Sequence, residues 1–287
     1  AMLLADLVRH EQIFNEIGGW VIDEAHQFVQ AAINQDEKIF TYMNWKYLFG
    51  QIGNVEDEQL FYRMKRAAIK KQLVHSSTLQ QVEKRFNHMV AVFDEAIQVI
   101  IRHVQQSHHT HKKELKLTMF LAELNLPVDV FSNVTVAVQR WIDEAQQVAM
   151  QFCSGVEELA PEHLYIIEQW NYWIREFQLK ISEWDEVFLK EEHSYSCWLE
   201  LDRRSVPGSI QIFKKPIDVT QTITELFTPI REKCAVIWTS GTLAVPNNER
   251  FITNQLGIAP QVTIEKLQAP ASYYAGAQAF IVTDMPD

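Results

Sequence analysis

Two short runs in this chain of 287 residues hold side chains that can do chemistry together. The first is Gly19-Trp20-Val21-Ile22-Asp23-Glu24-Ala25-His26, an apolar stretch ending in two adjacent carboxylates and a histidine. In a nucleotide site, Asp23 can hold Mg²⁺ directly or through water. Glu24 can then orient or deprotonate the water that attacks a γ-phosphate. His26 can pass the state of the nucleotide to a neighbouring loop. The plainer reading of the same run is a helix start after a strand, with Asp23 as its cap. The second run is Ala235-Val236-Ile237-Trp238-Thr239-Ser240-Gly241-Thr242-Leu243. Here an apolar stretch leads into small hydroxyl residues that can hydrogen-bond a histidine such as His26. Read alone, it is an ordinary turn whose hydroxyls satisfy backbone groups.

Both runs need a scaffold that brings their ends together. Trp20–Ile22 and Ala235–Trp238 read as short strands of a parallel sheet, covered on both faces because alternation is absent. The C-terminal tips of such strands are where α/β sheets place ligands. Between them, from Ala25 to Glu192, Gly and Pro are scarce and the segment reads as all-helical, with at least five helices. Phe86, Met89, Val90, Phe93, Ile97, Ile100 and Ile101 recur at steps of three and four. Trp170, Trp173, Ile174, Phe177, Ile181 and Trp184 do the same. Leu126-Pro127-Val128-Asp129 reads as a helix start, where the first turn tolerates Pro. After His193 the period switches to two: Tyr195, Cys197, Leu199 and Leu201 alternate with Ser196, Trp198 and Glu200. A turn at Val206–Ser209, a strand at Ile210–Phe213 and a helix through Phe227 to Arg231 follow. Asn247-Asn248 opens a short helix through Leu256-Gly257. The fold class is mixed α and α/β, predominantly helical: a large helical block interrupts α/β material.

Composition narrows the classes. The formal charge of −11 argues against a protein that coats duplex DNA by net charge alone, while leaving room for a local basic groove. No apolar run is long enough for a membrane span, and no secretory leader is visible. Cys153, Cys197 and Cys234 are far apart and read as small buried hydrophobes in a reduced, cytoplasmic protein. Both ends read as cut, so the chain is expected to be a piece of something longer.

Weaker features remain. Arg63, Lys65, Arg66, Lys70 and Lys71 lie in a stretch without acids, and Arg63, Arg66 and Lys70 share a helical face. With Phe61, Tyr62 and His75 nearby, that face could touch a phosphate backbone and stack bases, or simply be a solvated helix surface. His103, His108, His109 and His111 lack an acidic or cysteine partner and read as a solvated loop rather than a metal site. Residues Glu157–Glu192 read as an amphipathic helix with a charged outer face.

Taken together, the two runs resemble the acidic box and the S-A-T loop of superfamily 2 helicases. Val21–Phe28, V-I-D-E-A-H-Q-F, is similar to the DinG branch, the relatives of the XPD helicases. So are Met2–Leu7 before the box, Pro216–Val219 with Leu226-Phe227 before the hydroxyl loop, and Phe251–Gly257 and Ala279–Pro286 after it. The resemblance covers both ends of the chain; the middle matches in position and helical character. About 213 positions separate His26 from Thr239, far more than adjacent strands of one motor domain need. In these relatives a helical Arch domain, which helps to enclose single-stranded DNA, lies at that place.

The resemblance implies a RecA-like motor domain over 1–35 and 193–246, an Arch-like insertion over 36–192, and the start of a second motor domain over 247–287. It implies ATP and Mg²⁺ as cofactors, with Asp23 on the metal and Glu24 activating water. His26, Ser240 and Thr242 would couple nucleotide to single-stranded DNA. Departures are visible. Gly241 stands where the family has Ala, and Ala269-Pro270-Ala271-Ser272-Tyr273 stands for its S-P-F. No G-x-x-x-x-G-K-[ST] phosphate loop and no arginine motif of a second motor domain occurs in this chain, so it is not expected to hydrolyse ATP alone. The family's iron–sulfur cysteines lie upstream of the acidic box, so this chain does not speak to a cluster. Helicase and 3′-5′ exonuclease output both stay open, as does a helical module that binds DNA or protein without catalysis.

Overall fold

The computed structural model describes residues 18–53, 59–70, 73–106, 115–154, 160–190, 194–241, 250–258, 263 and 265. The segments 2–7, 247–248, 269–273 and 279–286 singled out above lie outside the described residues, as do Lys71, Thr242, His108, His109 and His111.

The described residues are predominantly helical and carry two separate sheets. The smaller sheet pairs β1 (Gly19–Ile22) with β6 (Ala235–Trp238) in parallel, with Ile22 opposite Trp238. Two helices cover one face of it: α1 (His26–Asp36) and α7 (Thr220–Lys233). Phe28 and Ala32 of α1 and Ile223 and Phe227 of α7 form a core with Ile22, and Val236 and Trp238 pack against it. Phe28, Phe227 and Trp238 meet at ring centroids 5.1–5.4 Å apart. The short helix α8 (Phe251–Gln255) adds Ile252 to the same core.

The expectation of strands covered on both faces is corrected here. Val21 is 69% exposed and Ile237 is 55% exposed. The described helices pack only on the face of Ile22, Val236 and Trp238, so strand alternation leaves Val21 and Ile237 on the open side.

The larger sheet is antiparallel, in the order β2 (Lys38–Thr41), β5 (Gln211–Pro216), β4 (Tyr195–Asp202), β3 (Lys116–Phe120). The middle block is therefore not all-helical, because β2 and β3 lie inside it. Their four and five residues are too short to stand out against long helical periods. Even so, Leu117 and Met119 are buried and their neighbours exposed, as alternation requires. Residues 195–216, read above with the motor-like part, pair with β2 and β3, and their Leu199, Leu201, Ile210 and Ile212 join the core of the helical block.

That second core runs from Phe40 to Ile212 and is built on α2 (Tyr42–Ile52), α3 (Leu60–Lys70), α4 (Ser76–Gln106), α5 (Val128–Ser154) and α6 (Pro161–Phe188). The periodic residues predicted to face inward do so: Phe86, Met89, Phe93, Ile97 and Ile100 on α4, and Trp170, Ile174, Phe177, Ile181 and Trp184 on α6. Buried indoles need partners for their N–H groups. Trp170 Nε1 donates to the Ala145 carbonyl at 2.9 Å, and Trp184 Nε1 to that of Phe131 at 3.1 Å. Both bonds tie α6 to α5.

Side chains join the two cores where the chain crosses between them. Tyr195 Oη donates to Asp36 Oδ2 at 2.5 Å, and Lys215 Nζ lies 3.0 Å from Glu37 Oε1. The cysteines depart from the buried reading: Cys153 is exposed and Cys197 and Cys234 are partly exposed. Cys153 follows the buried Phe152 on α5 but lies off the core stripe, on the exposed face of the helix. Among the described residues, no helix is long and apolar enough to cross a membrane.

Candidate active site

Parallel pairing of β1 with β6 puts two strand tips side by side, so the residues just after Ile22 face those just after Trp238. Backbone bonds seal the junction: Thr239 N donates to the Ile22 carbonyl, and Ala25 N to the Thr239 carbonyl, each at 2.9 Å. Ala25 is fully buried beneath the junction. Glu24 adopts φ 51°, in the left-handed region. This single residue turns the chain from strand to helix, and Gln27 N returns to the Glu24 carbonyl at 2.8 Å.

Five side chains meet at the tips: Asp23, Glu24, His26, Thr239 and Ser240. Thr239 Oγ1 donates to Asp23 Oδ1 at 2.6 Å, and the Glu24 amide donates to the same oxygen at 2.9 Å. The Thr239 hydroxyl, and after it the Glu24 amide, hold the Asp23 carboxyl below its ordinary range by stabilising the charged form. Ser240 Oγ donates to Glu24 Oε2 at 3.3 Å and lies 2.7 Å from His26 Nδ1. His26 Nδ1 is also 3.2 Å from Glu24 Oε2. The acidic run and the hydroxyl run, 216 residues apart, thus form one hydrogen-bonded cluster. Sequence reasoning missed Thr239. The strand register was the available signal, since the residue after Trp238 falls opposite the residue after Ile22.

The cluster suits a divalent cation of the Mg²⁺ type. Such an ion keeps several waters and needs only one or two carboxylates plus phosphate oxygens. Asp23 offers an exposed carboxylate already held in its charged form. Among the described residues, no three His, Cys, Asp or Glu side chains converge as an all-protein metal cage.

The basic candidates fall on α3. Arg63, Arg66 and Lys70 are exposed, whereas Lys65 turns the other way and pairs with Glu83 of α4 at 3.0 Å. Phe61, read above as a base-stacking candidate, is 3% exposed and belongs to the core, because it falls on the stripe with Met64 and Ala68. His103 bonds back to the Val99 carbonyl within α4.

Fold and cluster together define a class: a carboxylate–hydroxyl site at the tips of parallel strands, the ligand-bearing end of α/β sheets. No family model matches the chain. Over 99% of its length it is 21% identical to the 3′-5′ exonuclease DinG of Bacillus subtilis (strain 168). The matched stretch spans 31% of that protein. The chain is therefore similar, at a distance, to that protein along nearly its whole sequence.

Proposed function

We propose that this chain is the acidic-box, insertion and hydroxyl-loop portion of a DinG-type ATP-dependent enzyme acting on single-stranded DNA. One observation carries the reading: Asp23 and Glu24 sit at a strand tip in direct contact with Thr239 and Ser240 of the adjacent parallel strand. A chance D-E-A-H in an unrelated helical protein has no reason to meet that second run.

In this reading Asp23 is the Mg²⁺ ligand, and Thr239 and the Glu24 amide fix its carboxylate. When bound, the ion neutralises charge on the phosphates of ATP. Glu24 accepts the proton of the attacking water. His26 and Ser240 link that carboxylate to the β6 tip, and Thr242 is assigned the same coupling role from the sequence. The tip of β6 therefore registers the state of the nucleotide and passes it toward the DNA. The motor-like parts are 1–35 and the residues after Pro216, with a second motor unit beginning near 247. The core shared by β2, β3, β4 and β5 favours drawing the Arch-like insertion from 36 to 216.

ATP turnover by the longer protein, with its flanking segments, tests this. Asp23→Asn and Glu24→Gln should each lower kcat by about 10²–10⁴-fold. Unchanged turnover in both would remove the assignment. The chain alone should show no metal-dependent turnover, because phosphate-loop contacts supply much of the charge neutralisation.

A further inference from the structure

We propose that the groove between α4 and α5 is a binding site for a free guanine nucleoside monophosphate, with the phosphate on His88 and Arg140 and the base edge on Glu95 and Asn133. Both helices belong to the second core, so the site shares no residue with the strand-tip cluster and stands or falls apart from it.

The register of the two helices lays the groove out. Arg85 Nε lies 3.4 Å from Glu144 Oε1, and the Phe86 and Trp141 rings meet at 5.8 Å. Early residues of α4 therefore face late residues of α5, and the pair is antiparallel. Continuing the same pairing puts His88 opposite Arg140, Val92 opposite Ala137 and Glu95 opposite Asn133. All of these line one groove of about 360 Å³, within the range of small-molecule sites. Buried Ala137 and half-buried Val92 make its apolar floor.

The two ends carry opposite charge. His88, Glu95, Asn133 and Arg140 are exposed, and none of their side chains has a hydrogen-bond or ion-pair partner among the described residues. Lys84, one turn before His88, adds a cation to one end, and Asp129, one turn before Asn133, adds a carboxylate to the other. The carboxylates nearest Arg140 are engaged: Glu144 by Gln81 and Arg85, and Asp143 by Gln139. Arg102, two turns beyond Glu95, donates to the Gln98 carbonyl.

That layout selects a ligand. A guanidinium meets a phosphate through two parallel N–H donors, and the imidazole adds a third. Positions 88 and 95 are two helical turns apart, about 10 Å, which matches an extended nucleoside 5′-monophosphate from phosphorus to base edge. An ionised carboxylate only accepts, so the base at Glu95 must present donors. Guanine offers two adjacent ones, N1–H and the N2 amino group, which a carboxylate takes as a pair. Adenine and cytosine offer one amino group beside a bare ring nitrogen that repels it. The Asn133 amide then donates to the guanine O6.

The test is calorimetric titration of this chain with guanosine 5′-monophosphate in EDTA, which leaves the Asp23 cluster no metal through which to hold a phosphate. The unaltered chain should bind with a Kd of about 0.1–1 mM, as an open groove allows. Adenosine 5′-monophosphate and inorganic phosphate should each bind about tenfold more weakly or worse. Arg140→Ala should weaken the guanine nucleotide about tenfold. Glu95→Gln should weaken it about tenfold and leave the adenine nucleotide no weaker, since a carboxamide pairs with the donor and acceptor of an adenine edge. A purely structural role for Glu95 would not move the two nucleotides apart. Circular dichroism confirms that each variant is folded. No saturable binding of the guanine nucleotide up to about 5 mM overturns the site. So does inorganic phosphate that binds as tightly, which would leave only a cationic patch. Equal affinities for the two nucleotides overturn it as well, as do folded Arg140→Ala and Glu95→Gln chains that bind like the unaltered one.

Discussion

Ser240 Oγ lies 2.7 Å from His26 Nδ1 across 214 positions of sequence, while its hydroxyl donates to Glu24 Oε2. A serine hydroxyl has one proton to give. If Glu24 receives it, the serine oxygen must accept from His26, so the imidazole proton sits on Nδ1 and Nε2 is the acceptor of the neutral ring. The hydroxyl loop thus contacts both the histidine and the Glu24 carboxylate through one oxygen.

Ser240→Ala removes that oxygen. In the longer protein the ratio of DNA-stimulated to basal ATP turnover should fall about tenfold, corresponding to about 1.4 kcal/mol of coupling. Turnover measured with and without oligo(dT) gives the ratio directly. An unchanged ratio would show that Ser240 carries no signal between the two ligands.

Glu24 occupies the left-handed region with φ 51°, where a side chain costs about 1–2 kcal/mol. Glycine is free of that cost. Glu24→Gly should therefore leave the chain about 1 kcal/mol more stable than Glu24→Ala in urea unfolding, since both lose the same carboxylate. Both variants should lower ATP turnover in the longer protein by about 10²-fold or more. An alanine variant as stable as the glycine variant would show that the turn is unstrained.

The long helices were legible because burying one stripe imposes a period that nothing else produces. Trp170, Ile174, Phe177, Ile181 and Trp184 face inward as their spacing requires. The acidic and hydroxyl runs were legible as types of residue. Thr239 was not, because its partner is set by the register of two strands more than two hundred residues apart. The burial of Phe61 was hidden by its basic neighbours, which say nothing about which side of α3 meets the core. Lys214 was invisible for a different reason. It sits beside Lys215 in a strand, a pair that reads as solvated, yet it is 1% exposed.

Lys214 Nζ donates to the carbonyls of Glu186 at 2.7 Å and Lys190 at 3.2 Å, and lies 4.9 Å from the Tyr195 ring centre. The last carbonyls of a helix have no partners within it, and a buried cation there complements the helix dipole. Lys214→Met keeps the stem and removes the donors. It should destabilise the chain by about 1.5–3 kcal/mol, the range for hydrogen bonds to a charged group. Urea unfolding gives the loss, and hydrogen exchange should rise first at the C-terminal turn of α6. Stability within experimental error of the unaltered chain would show that those carbonyls find water without cost.

Asp202, at the end of β4, provides the pH prediction. Arg204 donates to it from Nη2 at 2.6 Å, from Nε at 3.1 Å and from its backbone amide at 2.9 Å. The Arg204 side-chain bonds, then its amide, lower the carboxyl to about 2. A carboxyl depressed in the folded state stabilises the fold above its unfolded pKa of about 3.9, and that contribution disappears as pH falls toward 2. Asp23 is depressed in the same direction by Thr239 and by the Glu24 amide. The two sites separate by substitution. Arg204→Ala should return only Asp202 toward the ordinary range, and Thr239→Val only Asp23, when side-chain carboxyl carbons are followed by NMR between pH 6 and pH 2. Because Thr239 holds Asp23 ionised through an uncharged hydroxyl, high salt should leave the Asp23 titration nearly unmoved while shifting that of Asp202 upward, as screening weakens only the contact with a cation. Equal salt shifts at both residues would mean that a charge, and not the β6 hydroxyl, keeps Asp23 ionised.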